Sequence, residues 1–152
     1  MSITTSNVID RFGDHLAATL PSSPVTERWT RSRFLPPSLG QDTEAKLSRC
    51  WSVWSPSGTK IDPRERQKLS EGSVFDSTIE VGFSYALRQD AQAADYTAAL
   101  AAEDVLIRAT LSINRVDLPR VLLTGIRRDT QGDGRTLVTT LTLQVAHTIP
   151  LQ

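Results

Sequence analysis

Residues 75–87, FDSTIEVGFSYAL, decide how the rest of the chain is read. Phe75, Ser77, Ile79, Val81, Phe83, Tyr85 and Leu87 alternate with Asp76, Thr78, Glu80, Gly82, Ser84 and Ala86. One face of an extended segment is then almost wholly apolar and the other small or polar, which is how a strand covered on one side reads. The alternation runs longer than an ordinary strand, so this segment is predicted to lie at the centre of a sheet.

Downstream the period changes. In residues 95–111, DYTAALAAEDVLIRATL, the residues Tyr96, Ala99, Leu100, Leu106, Ile107 and Leu111 populate one side of a helix, with Asp104 and Arg108 outward and Asp95 as the expected N-cap. Glu103 falls inside the apolar stripe, so it must either reach past the core edge or find a partner there. The small side chains of the first turns allow close approach to a sheet. Val121 to Arg128 reads as a strand, and Leu137, Thr139, Leu141, Leu143 and Val145 alternate with Thr136, Val138, Thr140, Thr142 and Gln144 as another. Between them DTQGDG, residues 129–134, supplies glycines for the positive φ angles of a hairpin loop, so the two strands are expected to be antiparallel neighbours.

Upstream, Leu47, Arg49, Trp51 and Val53 alternate with Ser48, Cys50, Ser52 and Trp54, a strand expected to be partly covered on both faces. Val8, Ile9, Phe12, Leu16 and Leu20 mark an amphipathic N-terminal helix capped by Ser6 and ended by Pro21. Gly13 inside it costs about 1 kcal/mol relative to Ala, so the helix must rely on burying its stripe. The expectation is one α+β domain over residues 1–152, with an irregular Pro-rich connection at 21–45 and a charged loop at 55–72. Its sheet is mainly antiparallel, of about four to five strands, with two helices packed on one face. Phe75, Ile79, Val81, Phe83 and Tyr85 are expected to share a buried face with Leu100, Leu106, Ile107, Leu137, Leu141 and Leu143.

The composition narrows the classes of function. With 152 residues, 39% of them apolar and 22% charged, the chain can pack a core and is not disordered throughout. Seventeen Lys and Arg balance 17 Asp and Glu, so no net field draws the chain to nucleic acid or an anionic membrane. The apolar runs are far shorter than the roughly 20 residues of a membrane-spanning helix. The start MSITTSNVIDRF lacks the pattern of a secretory signal, and one cysteine cannot close an intramolecular disulfide; a reducing cytoplasm is the expected setting for folding.

Chemistry finds little support. Cys50 could act as a nucleophile only beside His15 or His147, and its place in an apolar strand favours an inert buried thiol. DTQGDG lacks the distal Glu of a calcium loop, and no other acids, histidines or cysteines stand at metal-ligand spacing. Neither GxGxxG nor GxxxxGK is present. The expectation is no catalytic residue, no cofactor and no metal. Arg28, Arg31 and Arg33 with Trp29 and Phe34 could hold phosphates and stack on bases, but Glu27, Asp42 and Glu44 dilute the patch. In the loop KIDPRERQKLSE, residues 60–71, cations alternate with acids and no apolar period appears; a neighbouring subunit could order it. Lys60, Arg64, Arg66, Lys68 and Glu71, with Asp129, Asp133 and Arg135 of the hairpin tip, are the candidate subunit contacts.

An amphipathic helix, a strand, a long alternating strand ending FSYAL, the helix DYTAALAAEDVLIRATL and a hairpin ending LTLQVAHTIPL follow one another in an order that resembles the tail terminator and neck-completion proteins of long-tailed bacteriophages. The resemblance spans most of residues 5–150. It implies a structural virion protein, assembled in the host cytoplasm, which forms a ring at the head-proximal end of the tail tube; the ring is commonly a hexamer in that family. The implied partners are copies of itself, the tail tube protein, and a head-completion or connector protein. Genome DNA would pass through the lumen without sequence readout, and no membrane is involved. Such a ring needs two different patches on each subunit that match each other, and no active site. The stretch from Thr26 to Trp54 has no counterpart in that picture. The residues also leave open another homo-oligomeric or small-ligand-binding α+β module without catalysis.

Overall fold

The computed structural model describes residues 4–32, 48–56, 60–61, 73–132 and 134–149. Its order is α1 (Thr5–Thr19), β1 (Thr30–Arg31), β2 (Cys50–Trp54), β3 (Lys60–Ile61), β4 (Ser73–Ala86), α2 (Gln92–Leu111), β5 (Arg120–Gln131) and β6 (Thr136–Ile149). The strands form one six-stranded sheet in the order β1-β2-β4-β6-β5, with β3 pairing β4 beside β2. Only β1 and β2 run parallel. The fold is therefore α+β with a mainly antiparallel sheet, as expected from the order of elements. The Pro-rich connection is less irregular than the sequence suggested, since it contributes β1 at the sheet edge.

The central strand is the predicted one, slightly longer at its start. β4 pairs with β6 along its whole length, Ile79 opposite Leu143 and Val81 opposite Leu141, and with β2 from Ser84 to Glu80. This register puts Ile79, Val81, Phe83, Tyr85, Trp51, Val53, Leu137, Leu141, Leu143 and Val145 on one face, all buried. α1 and α2 cover that face, and α1 packs on α2. Of the predicted core, Phe75, Leu100 and Ile107 are only half-buried. The opposite face is also buried towards the end of β4, at Cys50, Ser52, Ser84, Thr136, Val138 and Thr140. There the Trp54 indole lies over Gly82 so closely that a Cβ at that position would meet its ring at 2.7 Å.

The α2 stripe is turned slightly from the predicted one: Ala99 and Leu106 are buried and Ile107 and Leu111 pack partly buried against the core as expected, but the deepest positions move towards Ala102 and Ala109. Ala99, Ala102, Leu106 and Ala109 face inward with Asp95 and Glu103, while Tyr96 is 41% exposed. The rotation has a polar cause: it lets both inward acids meet arginines on neighbouring segments, and the alanines bring the helix close enough to do so. Asp95 is not the N-cap, because the helix begins at Gln92. α1 likewise starts earlier than predicted. Thr4, not Ser6, is its cap, in a reciprocal capping box with Asn7.

Gly13 has a structural reason. A Cβ there would stand 2.5 Å from Arg31 Nη2, and the Arg31 guanidinium lies 5.3 Å from the Trp51 ring centroid. The glycine thus gives up helix propensity so that a cation from β1 can cross α1 and cover a core indole.

β5 carries a bulge. Leu123 pairs with Leu143 and Gly125 with Thr142, which leaves Thr124 as the extra residue. The extra residue reverses the parity of everything after it, so Ile126 and Arg128 face the helices where an unbroken alternation from Val121 would have placed Arg127.

Candidate functional site

The described parts of the two segments expected at subunit contacts lie at opposite ends of the sheet. Lys60 pairs with Asp76 near one end, and the hairpin tip follows Gln131, whose partner Thr136 lies opposite Ala86 at the other. The ten residue steps from Asp76 to Ala86 span roughly 33 Å at about 3.3 Å each. Arg64, Arg66, Lys68, Glu71 and Asp133 lie outside the described residues, as does the Lys60 side chain. Asp129 is exposed and pairs with Arg127 at 2.9 Å. Arg135 is exposed, and its carbonyl accepts the Leu87 N–H at 2.7 Å. Gln92 Nε2 donates to the Gly134 carbonyl at 3.2 Å, so the tip is tied to the start of α2.

The thiol and the histidines do not meet. Cys50 pairs with Ser84 on the face away from the helices, whereas His147 pairs with Phe75 on the helix face, about 30 Å along the strand. His147 is fully buried, with Ser77 Oγ 2.7 Å from its Nε2 and Thr5 Oγ1 3.3 Å from Ser77 Oγ. This chain of contacts joins α1 to β4 and β6, and with Ser77 and His147 both sealed it works as a structural tie. The sequence offered no spaced partner for His147 because the contact crosses two strands set by register. His15 Nε2 lies 2.8 Å from the Ala109 carbonyl and 2.9 Å from Ser112 Oγ, holding α1 against the end of α2. Among the described residues no three His, Cys, Asp or Glu side chains converge as a metal site. No described helix is long and apolar enough to cross a membrane.

The basic and aromatic run is split up by the fold. Trp29 is buried, its ring 5.1 Å from Phe83, and Arg31 is drawn over Trp51. Arg33 and Phe34 lie outside the described residues. Trp29 is thus a core residue and not a platform for a base. Arg28 alone of the described members stands exposed beside a pocket.

Two of the ion pairs among the described residues hold the inward acids of α2. Asp95 accepts from the Arg88 backbone N–H at 2.7 Å, from Nε at 3.0 Å and from Nη2 at 2.9 Å. The Arg88 guanidinium holds the Asp95 carboxyl below the usual carboxylate range, its hydrogen bonds outweighing desolvation. Glu103 receives Arg128 in a fork, Nε to Oε2 at 2.7 Å and Nη2 to Oε1 at 2.6 Å. That resolves the acid in the apolar stripe: its partner comes from the bulged strand. Arg128 is pushed further up by the same bonds.

No family model matches the chain, and no curated protein matches it. Among solved structures, the fold is similar to that of a chain in the virion of the native gene transfer agent (GTA) particle. The identity is 15% and the TM-score 0.50, and the likeness covers 96% of this chain and 99% of the other.

Proposed function

We propose that the chain is a structural virion protein of a phage-like particle and that it forms a ring at the head-proximal end of the tail tube. The observation that carries the reading is the end-to-end likeness in fold to a chain of the gene transfer agent virion, which spans nearly all of both chains. The order of elements in the sequence leads to the same class independently. In this reading the chain performs no catalysis and instead matches a neighbour on each side and an axial partner at each end.

The layout of the subunit is compatible with that role. A ring is built from head-to-tail contacts between two different patches, and the β3 end and the hairpin tip are separated by most of the sheet length. The bulged, mostly exposed outer strand β5 adds a third surface at the sheet edge, with Leu122 exposed on the face away from the helices and Ile126 on the helix face. A stable contact needs on the order of 1,000 Å² of buried surface, more than charged loops supply alone, so these apolar residues are the expected support. Partners in this reading are further copies, commonly six in all, the tail tube and a connector, with DNA passing through the lumen.

Mass spectrometry of purified particles from a host carrying the gene tests the class. Peptides of this chain in stoichiometric, low copy number per particle support a virion ring. Their absence from particles that contain the other tail proteins refutes it.

A further inference from the structure

Where β4 ends, the segment 26–30, the Ser48–Arg49 turn and the start of α2 leave a pocket of about 440 Å³. Arg28, Arg49 and Arg88 line it, together with Thr26, Thr30 and Tyr85. Asp95 is the acid in its wall, so three arginines against one carboxylate leave two positive charges in excess. Asp95 is itself occupied by Arg88, which it orients.

Arg49 is fixed in place. Its φ of 65° is a left-handed conformation that a residue with a side chain seldom adopts. Its Nη1 donates to the Thr26 carbonyl at 2.8 Å, and its guanidinium lies 5.3 Å from the Tyr85 ring centroid. A guanidinium has five N–H donors, so one such bond leaves most of them for a ligand. Arg28 is exposed at the rim. Arg88 has its Nε and Nη2 on Asp95, so Arg49, oriented and with donors to spare, and Arg28 at the mouth are the guanidinium groups left to receive a planar oxyanion, with Arg88 adding its remaining Nη1 donors.

We propose that this pocket receives the carboxylates of an acidic protein segment. Nucleic acid is the weaker fit for two reasons. The site is a confined pocket and not a groove that tracks regularly spaced phosphates. The Tyr85 ring is covered by Arg49, and the nearby Trp29 is buried, so neither can stack on a base. This ligand chemistry is independent of the virion reading, since it follows from the pocket and not from the assembly that carries it.

Fluorescence anisotropy with the purified full chain tests it, using a labelled polyglutamate peptide and, as a second probe, a labelled single-stranded oligonucleotide of equal charge. The peptide is expected to bind in a salt-sensitive manner, and Arg49→Ala and Arg28→Ala each to weaken it by roughly tenfold. Arg120→Ala, at the other end of the sheet, is expected to leave binding unchanged. Arg28 is exposed, so Arg28→Ala preserves the test if Arg49→Ala fails to fold. Three results would overturn the proposal: no peptide binding at millimolar concentration, binding indifferent to both arginines, or an oligonucleotide that binds more tightly through the same arginines.

Discussion

The pair Glu103–Arg128 is lopsided. The Glu103 side chain is 5% exposed and that of Arg128 39%. Removing Glu103 lets the arginine turn to water, whereas removing Arg128 strands a carboxylate against the core. Arg128→Ala should therefore cost about 3 kcal/mol or more, as expected when one partner of a buried pair is lost, and Glu103→Gln only about 1 kcal/mol. Urea unfolding of the two variants checks the order; equal costs would mean that Arg128 is not what balances Glu103. Asp95 gives a prediction in pH. Its folded value is depressed below the ordinary 3.8, so its contribution is complete above that value and is lost as pH falls through the folded one. Thermal unfolding should show wild type above Asp95→Asn at neutral pH, with the gap closing as the solution is acidified below about pH 4. A gap that widens with acid would reverse the assignment.

At the scale of elements, β4 was plain in the sequence and α2 was only half legible, for a physical reason. A period of two fixes which residues share a face wherever the pairing is regular, and β4 and β6 pair without a break from Ser73 to Ala86. Helix α2 offers two adjacent apolar stripes, and the choice between them is made by Asp95 and Glu103 finding arginines, one of which arrives from a strand after a bulge. The run VLLTGIRR, residues 121–128, does not announce that bulge, because neither parity gives a clean alternation. The same holds for the candidate site: the charges of the hairpin tip were readable, but the pocket was not, since it is assembled from the 26–30 segment, the Arg49 turn and the end of β4. Register also sets the contrast expected between adjacent residues of β4. Ile79→Asp places a charge at a fully buried position and should unfold the subunit, whereas Glu80→Lys, half-buried on the other face, should cost about 1 kcal/mol or less. Circular dichroism of the two proteins decides it, and equal damage would mean that the two faces are sealed alike.

For the whole molecule, formal neutrality suits association through local matches and not through a net field. Dilute solution is a weak arena for judging such a protein, because a ring templated by a tube end can be monomeric until that end is present. The proposed role is a position in a particle, and cryo-electron microscopy of intact particles measures that position directly. A closed ring of this chain is expected at the head-proximal end of the tail tube, with the hairpin tip or the β3 end of each copy against its neighbour. A reconstruction in which that level of the particle is built from another protein, with this chain nowhere in the density, would contradict it.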